Sequence, residues 1–319
     1  MGVLSSPRGM IIDLITPLKK SGDIDGQGLG KHLDRVLPHV QALLLASPYM
    51  GEGTNLNSAQ REQLLEKILV AVRGQIPILI WISRDTEGKT RKTLLLLKKR
   101  LELSKYTGPL FYLDTPLYYH SNRGLPLHYQ GMSSMVNEPF LLHNDPDLIR
   151  RQAMPLKRNN IRTGIFKELA GKDYIRGLIF LGSLDRARNY QKALASRTDF
   201  RTYDGEESHF LRHPSLSGVV SMGANLAPRA WAKITASSLN LSGSEKEYPD
   251  HLQQIWGLGE YLHNLRNIYQ DISVPVIKQV LSGMGIIDSP ACTFKAEDMG
   301  EKTKLLKELM ESYGDYSAP

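Results

Sequence analysis

Cysteine is almost missing from this 319-residue chain, which carries one, Cys292. That excludes a disulfide framework, and with it a zinc site built on several thiolates. A reducing, cytoplasmic compartment is the simplest expectation. Long hydrophobic runs are missing too. No apolar stretch approaches the ~18 uninterrupted residues of a membrane span, so no membrane partner is expected. Blocks of one charge sign are short: 40 basic and 33 acidic residues give +7, but they are spread along the chain. The densest run, Lys98-Lys99-Arg100, reads as the solvated end of a helix, and no RNP, zinc-finger or helix-turn-helix signature accompanies it. Nucleic acid is therefore not an expected partner. Metal-ligand spacing is lacking as well, since His209 and His213 stand four apart with no third ligand. No metal and no cofactor are expected.

What the chain does have is 41% hydrophobic and 23% charged residues, the balance of a globular protein. Eight short apolar runs stand out: 10–15, 42–46, 77–83, 110–113, 140–143, 163–167, 200–203 and 218–221. Each suits a strand buried on both faces. Helix-like segments lie between them. The clearest spans 58–72, where Leu64, Leu65, Ile68, Leu69 and Val72 recur at helical spacing and Asn57 or Ser58 can cap the first turn. Segments 90–103, 148–154 and 227–237 read similarly. Strand and helix repeated eight times predict a (β/α)8 TIM barrel. An open doubly wound sheet shows the same alternation, but no G-x-G-x-x-G follows the first strand. After residue 240 the alternation stops, and 245–272, 274–284 and 295–313 read as helices. The expected layout is a barrel over 1–240 with a C-terminal helical extension, 241–319, packed on it.

Barrel enzymes place their chemistry at the C-terminal ends of the strands. The polar residues ending these runs are thus the candidates: Ser47 to Glu52, Asp114 to Tyr119, His143 to Pro146, Lys167-Glu168, Tyr203 to Glu206 and Ser221 to Asn225. Lys167 is the most informative. Its neighbours Ile165, Phe166 and Leu169 are apolar. An inward amine there would be desolvated, which lowers its pKa and readies it to attack a carbonyl. The same position also suits a lysine that snorkels from a strand end or pairs with a carboxylate.

These residues resemble a known family. Gly51-Glu52 after the second strand, Tyr118-Tyr119 after the fourth, Lys167-Glu168, Gly218-Val219-Val220-Ser221 and Asn225-Leu226-Ala227-Pro228 follow the order of the dihydrodipicolinate synthase/N-acetylneuraminate lyase family. The resemblance runs from about Gly9 to Pro228. Members are class I aldolases, tetrameric as a rule, that cleave or condense pyruvate through a lysine imine without a cofactor. It implies that Lys167 forms the imine, that His143 and Tyr118 handle protons, and that Tyr49, Met50, Gly51 and Val220 contact substrate. Tyr119 is the fallback for the family tyrosine. Glu52 and Glu168 take supporting roles, and Asp204 and Glu206 read as solvated loop acids.

The departures matter equally. Where the family carries Gly-Thr-Thr-Gly-Glu, this chain reads Pro48-Tyr49-Met50-Gly51-Glu52, so both carboxylate-binding hydroxyls are replaced. The family's proton-passing tyrosine is His143, an imidazole able to donate and accept near neutrality. The position of an arginine that meets a second carboxylate falls on Leu148, with Arg150 two residues on. Two functions follow. One is a class I, Schiff-base lyase acting on pyruvate, another 2-oxo acid or an aldehyde, outside the standard synthase reaction, and homo-oligomeric as a tetramer or dimer. The other is an altered or inactive family member that works as a binding or regulatory protein.

Overall fold

In the computed structural model, residues 5–152, 158–194, 197–214, 217–239, 250–297 and 299–315 are described. Eight parallel strands, β1(Gly9–Asp13), β2(Ala42–Leu45), β3(Ile78–Trp81), β4(Leu110–Asp114), β5(Phe140–Asn144), β6(Ile175–Phe180), β7(Arg201–Asp204) and β8(Gly218–Ser221), close into a barrel in chain order. The seam pairs β8 with β1, Val220 facing Ile11.

Helices α1(Gly26–Val36), α2(Ser58–Val72) and α3(Glu87–Ser104) follow the first three strands. Then α4(Pro116–Tyr119) and α5(Leu125–Ser133) follow β4, while α6(Pro146–Arg150) and α7(Thr163–Ala170) follow β5. The ring is completed by α8(Leu184–Ala193), α9(Glu207–Arg212) and α10(Pro228–Ser238). Beyond it come α11(Asp250–Tyr269), α12(Ser273–Gly283) and α13(Gly300–Ser312). No described helix is long and apolar enough to cross a membrane.

The expected second helix forms over 58–72 with the apolar face read from its spacing: Leu64, Leu65, Ile68, Leu69 and Val72 are buried. Each such side chain contributes ~1.5–3 kcal/mol on leaving water. Asn57 caps it in a reciprocal box with Gln60, satisfying two otherwise free N–H groups.

Alternation along the strands sorts side chains into two layers. Outward residues such as Ile12, Leu43, Ile80 and Tyr112 pack against the helices. Inward ones, among them Ile11, Leu44, Trp81, Leu113, Leu141, Ile179, Tyr203 and Val220, fill the barrel.

One strand is not where the sequence pattern puts it. The run Thr163-Gly164-Ile165-Phe166-Lys167 is the start of helix α7, whose buried residues are Phe166, Leu169 and Ala170. These recur at three and four residues, a helical stripe. The sixth strand begins eight residues beyond Lys167, at Ile175–Phe180, and its register pairs Ile179 with His143 on one side and Tyr203 on the other. Lys167 therefore stands on the outer ring, exposed to solvent, and Glu168 beside it is exposed too.

Candidate functional site at the barrel mouth

A cavity of about 530 Å³ opens over the C-terminal ends of the strands. That is the size range of small-molecule sites. Its floor and walls include Asp13 of β1, Leu44 of β2, Leu113 of β4, His143 of β5, Ile179 of β6 and Val220 of β8. Loops add Ser47, Pro48, Tyr49, Arg151, Leu181 and Glu206, and Glu207 comes from the start of α9. The C-terminal region roofs it with Arg266 of α11, the turn from Gln270 to Ile272, the start of α12 and Phe294.

The loop after β2 is held in an unusual shape. Ala46 and Glu52 have positive φ without being glycine, a conformation that costs roughly 1–3 kcal/mol each and concentrates at working loops. Gly51 sits so close to the Ala46–Ser47 backbone that a Cβ would come within 2.3 Å of the Ser47 nitrogen. Its N–H donates to Ser47 Oγ at 2.9 Å, and its carbonyl accepts from Thr16 Oγ1. Glu52 turns away from the mouth: it pairs with the fully buried Lys278 of α12 and accepts the Thr293 N–H at 2.5 Å. This tie fixes the C-terminal roof to the loop.

His143 is buried at the rim of the inner layer. Its Nδ1 lies 2.8 Å from Thr115 Oγ1, which in turn accepts the Trp81 Nε1–H at 2.8 Å. The relay sets the ring's orientation, and burial pushes the imidazole pKa down, keeping it neutral at pH 7. Tyr49 lines the cavity, but its phenol donates to Asp145 Oδ2 at 2.5 Å while Asp145 Oδ1 caps α6. Arg151 covers the Tyr49 ring. Burial and the neighbouring Asp145 raise the phenol's pKa, so Tyr49 is a neutral group with its proton committed.

The sequence reading omits Asp13. This carboxyl is buried at the end of β1, and burial raises its pKa to about 7, with the Glu207 charge adding to the rise and the Ser47 hydroxyl opposing it. Its Oδ1 has no hydrogen-bond partner. Glu207 is the contrasting case, a buried carboxylate satisfied by Ser221 Oγ, the Gly223 N–H and Tyr269 Oη at 2.6–2.7 Å. The available signal for Asp13 is a lone acid inside the apolar run Met10–Ile15, at an inward position two residues after Ile11.

Of the residues singled out from sequence, the structure brings His143, Tyr49 and Val220 to the cavity. Tyr118 is in the inner layer, edge-on to Trp81 with ring centroids 6.0 Å apart, and hydrogen-bonds Gln152. Tyr119 packs beside the inner layer, where its phenol donates to Asp114 and meets His128 Nε2, and it does not line the cavity. Met50 packs into the outer core instead of the mouth, because the loop turns it away. Lys167 is not in the site. Leu148 packs against the inner layer. Arg150 pairs with Asp147 on the exposed face of α6, and the arginine that reaches the cavity is Arg151. Glu206, read as a solvated loop acid, lines the wall; Asp204 is buried against His209. Among the described residues, no lysine lines the cavity.

Comparison with known proteins is decisive for ancestry. The sequence matches the Dihydrodipicolinate synthetase family over residues 6–307. The chain belongs to that family. Within the Dihydrodipicolinate synthetase family, the 4-hydroxy-tetrahydrodipicolinate synthase of Archaeoglobus fulgidus is 26% identical over 312 residues, covering 95% of this chain and 97% of that one. The same enzyme of Thermotoga neapolitana is 24% identical over 311 residues, covering 96% and 99%. Among solved structures, dihydrodipicolinate synthase from Aquifex aeolicus superposes with a TM-score of 0.77 at 19% identity, over 98% of this chain and 100% of that one. The Acinetobacter baumannii synthase complexed with pyruvate gives 0.76 at 20%, over 97% and 99%. At these identities the structural likeness establishes the fold.

Proposed function

We propose that this family member binds a small polar molecule in its barrel mouth without forming a lysine imine. The observation that supports this most directly is strand β6. Its inward residue at the mouth is Ile179, a hydrocarbon, while Lys167 stands outside on α7. An alkyl side chain has no lone pair to add to a carbonyl, so the nucleophile that imine chemistry requires is not on this strand. Family membership favours a small-molecule ligand and a lyase ancestry; the altered mouth favours the binding or regulatory reading over the aldolase one.

The wall chemistry narrows the ligand. Asp13 and Glu206 offer acceptors, Arg151 and Arg266 offer cationic donors, and Leu44, Leu113, Ile179 and Val220 supply an apolar floor. A hydroxy acid or amino acid meets both signs at once, its acidic group on an arginine and its donor on a carboxyl. A cytoplasmic, homo-oligomeric protein belongs to the same proposal, on the single cysteine and the family's habit.

A thermal-shift panel of small oxo, hydroxy and amino acids tests the binding reading. A ligand at 100 times its Kd adds ~2.7 kcal/mol of stability. A compound should raise the Tm of the native chain and lose that effect in Leu181→Trp, which fills the rim. A panel with no stabiliser, or a shift that persists in Leu181→Trp, would overturn it.

One observation favours a second reading. Asp13, with a pKa about 7, and the neutral His143 both line the cavity, and each can exchange a proton with a bound molecule. A lyase reaction without an imine would use these groups, and turnover of the bound compound abolished by Asp13→Asn would establish it.

A further inference from the structure

Outside the cavity lining, three side chains from separate elements converge. Glu87 opens α3, His120 caps the C-terminus of α4, and His128 lies on α5. One ligand-capable atom from each lies within 4.8 Å of the other two. Zinc ligands at ~2.0–2.1 Å in a tetrahedron stand ~3.3 Å apart, so binding contracts the cluster by up to ~1.5 Å. Glu87 and His120 are partly exposed, with side-chain exposures of 40% and 19%.

Each ring has one nitrogen near the carboxylate that carries no hydrogen. His128 Nε2 lies 2.9 Å from Tyr119 Oη, and that phenol donates its only proton to Asp114 Oδ2 at 2.8 Å. Tyr119 Oη can then only accept from His128, so Nε2 carries the hydrogen and Nδ1 is the bare nitrogen. His128 is 5% exposed, and its Nδ1 has no hydrogen-bond partner; the nearest acid oxygen is Glu87 Oε1 at 3.4 Å. His120 Nδ1 lies 2.7 Å from the Ser121 carbonyl, which can only accept, so Nδ1 is the donor there and Nε2 is bare, 4.0 Å from Glu87 Oε2. Two bare imidazole nitrogens beside one carboxylate, on rings stacked 4.7 Å apart, leave a deficit of positive charge between them.

We propose that Glu87 Oε2, His120 Nε2 and His128 Nδ1 form a site for a divalent cation of the zinc type. Two nitrogens and one oxygen suit Zn²⁺ or its transition-metal neighbours, and disfavour Ca²⁺ and Mg²⁺, which take oxygen shells. The surrounding groups fit that role. Asp114 acts on His128 through Tyr119, the arrangement that fixes ring orientation at metal centres. Arg91 holds Glu87 Oε1 at 2.7 Å and leaves Oε2 for the metal. The bound cation would clamp α3 to α4 and α5, with water at the fourth position.

The test titrates the chelator-treated full chain with Co²⁺, read by its ligand-field absorption, and with Zn²⁺ by calorimetry. The native chain should bind one equivalent, with tetrahedral Co²⁺ bands. His120→Ala, chosen because His128→Ala risks misfolding, should weaken binding beyond the ~10–100-fold that outer-shell changes cost. His213→Ala, on the separate His209–His213 pair, should leave binding unchanged. The proposal is overturned by no saturable binding, by His120→Ala binding like the native chain, or by His213→Ala abolishing the signal.

Discussion

Ile179 of β6 is the register partner of His143 of β5, and both side chains line the same cavity. A hydrocarbon and a neutral imidazole thus stand side by side at the mouth, and Lys167 is outside, on α7. If Lys167 is only a solvated helix residue, Lys167→Ala should change stability by less than ~0.5 kcal/mol and leave ligand shifts intact. Denaturant unfolding and the thermal-shift panel check both.

Asp13 predicts a pH-dependent substitution effect. Its folded pKa, about 7, lies above the unfolded value near 3.8, so the folded chain binds the extra proton between these values. Stability from this group is fully present below the unfolded pKa and is lost as pH rises through 7. Asp13→Asn should therefore stabilise the chain by ~4 kcal/mol at pH 8 but by only ~1.5 kcal/mol at pH 5, because the unfolded carboxyl ionises from pH 3.8 upward. Equal effects at both pH values would contradict the burial account.

How much of this was legible in the sequence depends on the segment. Seven strands and the capped helix 58–72 follow from apolar runs and turn residues, because burial on both faces selects the same residues wherever the chain runs through a barrel wall. The sixth failed for a definable reason. The true strand Ile175–Phe180 is broken by Arg176 and Gly177, whereas Thr163–Lys167 is an apolar run whose helical stripe shows only when Leu169 and Ala170 are counted. That error carried Lys167 into the site. The roof is a different matter: Arg266 and Phe294 reach the cavity by long-range packing, which no local pattern encodes.

The Thr115 hydroxyl links Trp81 to His143, so Thr115→Val leaves two buried polar nitrogens without partners. Each costs ~1–3 kcal/mol. Urea unfolding should show a loss of ~2–4 kcal/mol with an unchanged m-value, and a loss under ~0.5 kcal/mol would disprove the relay.

Lys278 and Glu52 form a fully buried pair between α12 and the β2 loop. Lys278→Met strands the Glu52 charge and should cost ~3–5 kcal/mol, while Lys278→Met with Glu52→Gln should recover most of it. Unfolding free energies of the two variants decide the matter; equal losses would show that Glu52 is held by other groups.

The central claim is that the mouth works without an imine. It is tested most directly by the mass of the full chain after borohydride reduction in the presence of pyruvate, longer 2-oxo acids and simple aldehydes. The account predicts an unchanged mass at saturating compound. A stoichiometric adduct mapped to any lysine in the barrel, Lys167 included, would contradict it.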